Sequence, residues 1–146
     1  MEDKNQQTIG QVFDLIQESY TDKMIRWVPY YQDLISSFHS SAPVDFFPEK
    51  VLDLGSGNGN VIATLLARYP EANYTLLDAS EKMLAEAKER FSGYKISLKQ
   101  ELMQEAQFAK DTFDLATASF SLHHLTEDQK RQVISSTYDL LKPGGY

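Results

Sequence analysis

The sequence predicts an α/β fold built on an open parallel sheet, and three observations carry that prediction. The first is Val51-Leu52-Asp53-Leu54-Gly55-Ser56-Gly57-Asn58-Gly59-Asn60, where four residues of short buried strand run into three glycines at alternate positions. Val61, Ile62, Leu65, Leu66 and Tyr69 then recur at helical spacing. Strand, glycine turn and helix open a nucleotide-binding βαβ unit, since glycine allows φ > 0 and leaves no Cβ between backbone and ligand. The second observation is Asp78, which closes the strand-like run Tyr74–Leu77 and lies 19 residues after Gly59. Nucleotide folds set an acid on ribose hydroxyls at about that distance. The third is Phe113–Phe120, apolar nearly throughout and expected to be a central parallel strand buried on both faces.

The details of the turn bear on its ligand. A dinucleotide fingerprint reads G-x-G-x-x-G, with a pyrophosphate resting on the helix N-terminus. Here the third glycine comes one residue early, at Gly59, and Asn60 stands in the last glycine's place. Asp53, two residues before the first glycine, would repel a pyrophosphate and suits a cationic ligand, such as an amino acid ammonium beside a sulfonium. That points to S-adenosylmethionine, with S-adenosylhomocysteine as its product form. A carboxylate at Asp78 can accept from both ribose hydroxyls, which rules out a 2′-phosphate.

Five segments in order then resemble the class I S-adenosylmethionine-dependent methyltransferases: VLDLGSGNG (51–59), LLDASEKML (76–84), the acid Glu101, FDLATASFSLHHL (113–125) and LKPGGY (141–146). The resemblance covers roughly residues 45–146. It implies a Rossmann-like sheet of strand order 3-2-1-4, with the cofactor's methionine end at Asp53, Gly55, Ser56 and Gly57 and its ribose at Asp78. Ala79 and Met83 would flank the adenine, and Glu101-Leu102 would meet its edge. Members mostly have a shorter acid, Asp, at the position of Glu101, which leaves the register there open by about one residue. Core packing is the alternative for Met83, and a solvated loop the alternative for Glu101.

Residues 8–40 read as helix, with Val12, Phe13, Ile16 and Tyr20 on one stripe and a break at Pro29, a residue suited to the first turn of the resumed helix. The plain reading is a helical cover over the open edge of the sheet. The segment 22–31 is also similar to the N-terminal lid of some methyltransferases, including the carboxy-S-adenosylmethionine-dependent tRNA uridine enzymes. In that lid a tyrosine two residues after the proline touches the cofactor, and Tyr31 matches it; Tyr20 and Arg26 are further lid candidates. The tRNA substrate is not carried over, because those enzymes bind it with C-terminal residues that have no counterpart here. The expected organisation is therefore a lid or cover at 1–44 and a cofactor-binding core at 45–146.

Residues 41–45 form a linker by composition. Pro70 stops the first core helix. Ser80 is placed to cap the next helix, Glu81–Phe91, with Glu81 in its first turn and Gly93 past its end. A third strand is expected at Lys95–Lys99. Ser119 and Phe120 leave the fourth strand at the face where open α/β sheets hold ligands, against the methionine part of the cofactor, with His124 near the transferable methyl. His123 and His124 are candidate general bases; an imidazole bonded to the following loop is the plainer reading. His39 is the only other histidine and there is no cysteine, so a metal site and a disulfide framework are both disfavoured. Thr126 and Gln129 form a capping box for a helix through Leu141, whose inner stripe is Val133, Ile134, Thr137, Leu140 and Leu141.

Net charge is −7, with 14 basic and 21 acidic residues, against the basic face that nucleic acid wants. The polar N-terminus does not read as a signal peptide, and no apolar run approaches a membrane span, so a soluble cytoplasmic protein is expected. The family continues past its glycine turn into a fifth strand, so these 146 residues read as a partial domain. Strand four would be an apolar edge, covered by a second copy in a homodimer or by the N-terminal helices. The expected activity is methyl transfer to a small-molecule acceptor. The alternatives are a non-catalytic module of the same fold and, against Asp53 and the shifted glycine, a nicotinamide-dependent oxidoreductase.

Overall fold

The computed structural model describes residues 20–146. Two short helices, α1 (Tyr20–Trp27) and α2 (Tyr31–Ser37), precede a 3-10 turn at Phe38–Ser40. The core then runs β1 (Lys50–Leu54), α3 (Asn60–Leu66), β2 (Asn73–Asp78), α4 (Glu81–Arg90), β3 (Ile96–Gln100), β4 (Leu115–Ala118), a 3-10 turn (Leu122–His124) and α5 (Glu127–Leu140). All strand pairs are parallel and the sheet order is β3-β2-β1-β4. The chain reverses its winding between β1 and β4, which opens a crevice at their carboxyl ends.

Alternation along β1 and β2 divides the core between two faces, because successive strand side chains point to opposite sides. Val51, Tyr74 and Leu76 pack with Val61, Ile62, Leu65, Leu84 and Phe91 under α3 and α4. Leu52, Leu54 and Leu77 face the other way, against Phe113, Leu125 and Val133 under α5. The helix starts follow their sequence signals. Ser80 Oγ accepts from Met83 N at 3.2 Å at the head of α4, and Thr126 with Gln129 forms both bonds of the capping box on α5.

The N-terminal helices differ from expectation in two ways. Val12, Phe13 and Ile16 lie outside the described residues. Pro29 does not enter the resumed helix: Tyr30 caps α2 in the left-handed region at φ 58°, and the helix begins at Tyr31. Of the expected cover, the described helices α1 and α2 lie away from β4's outer edge, with Tyr31 and Ile35 packed into the α3 side of the core. The linker is tied down, since Arg68 Nη1 donates to the carbonyls of His39 (2.9 Å) and Ala42 (3.0 Å), and Nη2 to that of Pro43.

β4 is shorter than the apolar run suggested, and its residues alternate between buried and half-buried. Two-sided burial fails because Ala116 and Ala118 face a groove that α5 only partly roofs, lined by Leu54, Leu122, Val133 and Tyr138. Ile134, expected on the inner stripe, lines this groove but is 59% exposed. The β4 edge is nonetheless not bare. Lys142 N donates to Phe113 O (2.8 Å), Tyr146 N to Asp114 O (3.0 Å), and Ala116 N to Tyr146 O (2.8 Å). Removing the α5 cap by Thr126→Ala should lower stability by about 1 kcal/mol; urea denaturation checks this, and an unchanged midpoint would contradict the cap's role.

Candidate functional site

The site begins with the turn after β1. Gly55, Gly57 and Gly59 adopt φ of 67°, 54° and 88°, a region that favours glycine. A Cβ on Gly55 would overlap Ser121, and one on Gly59 would overlap the Phe91 ring, whereas one on Gly57 would meet nothing within 4 Å. The turn's amides are engaged within the protein. Gly55 N and Ser56 N both donate to Leu77 O (2.8 and 3.1 Å), Gly59 N to Ser56 O (3.0 Å), and Gly57 N to the Asp78 carboxylate (2.7 Å). The other Asp78 oxygen accepts from Ser80 N at 2.9 Å.

A cleft of about 840 Å³, counted with its mouth, opens beside this turn. It gathers the residues expected to touch the cofactor, Tyr31, Asp53, Gly55, Ser56, Gly57, Asp78, Ala79, Met83, Glu101, Leu102, Ser119 and Phe120, together with His124; the other candidate base, His123, does not line it. Glu101 and Leu102 both reach it, and Met83 is at once buried core and cleft wall. Tyr20 lines it as well, while Arg26 is exposed on α1 and does not. Ile35, Val61, Leu77 and Leu125 supply the remaining apolar lining; of the polar and soft side chains in the wall, the sequence reading missed Asn58, Asn60, Met103, Gln104 and Ser121. Of these, only Asn60 had a visible signal, its place in the slot of the fingerprint's last glycine.

The polar groups of the cleft are unevenly served. Asp53 is 2% exposed and accepts one hydrogen bond, from Thr117 Oγ1 at 2.8 Å. Burial pushes its carboxyl up to about 7; the Thr117 bond opposes this and the nearby Asp78 charge adds to it. Ser56 Oγ and Ser119 Oγ are buried with no hydrogen-bond partner among the described residues, a state native proteins seldom leave unanswered. Burial pushes the Tyr20 phenol up to about 12, with Tyr31 and Asp78 adding to it. The Tyr31 ring stands 5.4 Å from Phe120. His124 stacks on His123 at 4.0 Å between ring centroids. Burial, with His123 beside it, holds His124 below the usual imidazole range, against the pull of Asp78. Among the described residues no group of three or more histidines, aspartates and glutamates could hold a metal ion, and no helix is long and apolar enough to cross a membrane.

The buried Asp53 carboxylate calls for a cation, and the two orphaned hydroxyls call for polar ligand atoms, so the residues present fit the methionine end of S-adenosylmethionine. An open parallel sheet of this order, with its cleft at the carboxyl ends of the strands, is a Rossmann-like domain. The profile of a methyltransferase domain family matches residues 51–145, and the chain belongs to the class I S-adenosylmethionine-dependent methyltransferases. It is similar to a ubiquinone/menaquinone biosynthesis C-methyltransferase of Desulfotalea psychrophila, with 38% identity over 96 residues, 66% of this chain and 38% of that protein. The match thus spans well under half of that relative's length. Among solved structures, it shares its fold with a methyltransferase of Leishmania major (TM-score 0.78, 22% identity, 93% of this chain and 56% of that one). Another is an amino pentose methyltransferase of Micromonospora echinaspora with S-adenosylmethionine bound (TM-score 0.67, 24% identity, 89% and 54%).

The two glycines that a Cβ treats differently give a direct check. Gly57→Ala should cost about 1–2 kcal/mol from left-handed strain alone. Gly59→Ala should cost more, about 2–4 kcal/mol, because its methyl also displaces Phe91. Denaturant unfolding ranking Gly57→Ala as the worse of the two would contradict this geometry.

Proposed function

We propose that the cleft binds S-adenosylmethionine and that the chain forms the cofactor-binding half of a methyltransferase acting on a small molecule. The observation that carries this reading is the turn itself: its amides are engaged internally while a nearly naked carboxylate lies buried beside it. A diphosphate would find few free donors there and a repelling charge; an ammonium would find a partner. In this reading Asp53 takes the ammonium, Ser56 and Ser119 supply hydroxyls to the amino acid end, and Asp78 accepts from the ribose. Ala79, Met83 and Leu102 enclose the adenine, with Glu101 at its edge.

When bound, the cofactor supplies a methyl group already attached to a good leaving group, so positioning can provide much of the rate. Tyr31 and Phe120 exclude water at that end of the cleft. His124, which burial holds toward the neutral form, is the candidate base for a proton from the acceptor's nucleophile. Among the described residues the lining contains no lysine or arginine, which favours an uncharged acceptor over an anionic one. The quinone-biosynthesis relative makes phenolic and quinol compounds the first acceptors to screen, with isotopically labelled methyl donor.

S-adenosylhomocysteine should raise the melting temperature, since a ligand selective for the folded state stabilises it, and NADH should not; the reverse result would replace this reading with an oxidoreductase. Asp53 also sets a pH dependence. Its raised value gives the ligand-free protein stability that is full below the ordinary carboxyl range and is lost as pH rises through about 7. Ligand affinity runs the other way, because the ammonium needs the ionised form: S-adenosylhomocysteine should bind roughly tenfold tighter at pH 8 than at pH 6. Calorimetry at both values checks this; the same dependence persisting in Asp53→Asn would remove Asp53 from the account.

A further inference from the structure

Asn60, in the slot where a dinucleotide-binding turn has its last glycine, has a role that cofactor contact does not explain. It is the first residue of α3, and its amide reaches three other elements. Nδ2 donates to the Tyr31 hydroxyl at 2.8 Å on α2 and to Thr21 Oγ1 at 3.2 Å on α1. Oδ1 accepts from Arg90 Nη1 at 2.8 Å at the end of α4. Its neighbour Asn58 assists, with Nδ2 donating to Thr21 Oγ1 at 3.1 Å. Both amide donors and the carbonyl of Asn60 are therefore used, in a part-buried setting where each has a directional partner.

The consequence falls on Tyr31. Tyr31 is 6% exposed, its ring is tilted against Phe120, and burial raises its phenol's pKa, with the Asn60 bond opposing that shift. The hydroxyl is the only polar atom of the side chain, and Asn60 fixes it. A glycine here, as in the dinucleotide fingerprint, would leave the N-terminal helices without this tie. The same residue that begins the helix beneath the cofactor turn thus anchors the aromatic ring at the cleft's methionine end.

We propose that Asn60 is a positioning residue: through the Tyr31 hydroxyl it holds α2 and its aromatic ring over the cleft, so that cofactor affinity depends on it. This rests on the reading of the cleft as the S-adenosylmethionine site. A purely structural Asn60 would tie the helices together without altering ligand affinity, and a residue contacting the ligand directly would act independently of Tyr31.

A double-mutant cycle separates these. S-adenosylhomocysteine affinity is measured by calorimetry for the full chain, Asn60→Ala, Tyr31→Phe and the double variant, with the melting temperature of each recorded without ligand. Tyr31→Phe keeps the ring and removes only the hydroxyl, so it serves even if Asn60→Ala folds poorly. Each single substitution should weaken binding about 5–10-fold. The double variant should be no worse than the weaker single within about twofold, and ligand-free melting of Tyr31→Phe should stay close to wild type. Unchanged affinity in Tyr31→Phe, or losses that multiply in the double variant, would overturn the inference while leaving the cofactor site standing. Wild-type protein that fails to bind S-adenosylhomocysteine would overturn both.

Discussion

Asp53 sits at the carboxyl end of a central strand, walled off from water and served by one threonine hydroxyl, and the rest of the site is arranged around that carboxylate. Its register fixes the surroundings. Parallel pairing sets Asp53 opposite Leu76 on one side and Thr117 on the other, so the charge is flanked by strands rather than by solvent. A carboxylate so placed is costly to ionise unless something cationic arrives. The glycine turn beside it cannot relieve the charge, because its amides are directed inward to Leu77, Ser56 and Asp78. What distinguishes this turn from a phosphate cradle is therefore the direction of its hydrogen bonds more than its glycine count.

The fold supplies that arrangement through its winding. α3 and α4 cover one face of the sheet and α5 the other, so the crevice falls where β1 and β4 diverge. Tyr31 and Phe120, far apart in the chain, meet above it. The face under α5 has the smaller buried core and leaves a groove beside β4, where the C-terminal residues already supply parallel rungs. The cleft itself takes its walls from both clusters, Ile35 and Val61 from one and Leu77, Met103 and Leu125 from the other.

Much of this was legible in the sequence because the signals are local. The strand, the spaced glycines, the Ser80 and Thr126 caps and the acid closing β2 each sit within a few residues of what they control. The strand order and cleft candidates such as Glu101 followed from ordered resemblance, and the family profile agrees with it. What stayed hidden depends on distant partners. Nothing local says that Phe91 lies under Gly59, that Arg68 holds the linker, or that Asp78 bonds the glycine turn as well as closing β2. The exposed Ile134 and the half-buried β4 had the same cause, since an apolar run does not say whether a second layer covers it.

The central claim is that a buried carboxylate selects the cationic end of the ligand. The most direct measurement compares S-adenosylhomocysteine with the same compound lacking its α-amino group, by calorimetry at pH 8. A hydrogen bond to a charged group predicts that the deaminated compound binds roughly tenfold or more weakly, and that Asp53→Asn abolishes most of the difference. Equal affinity for the two compounds in the wild-type protein would contradict the account.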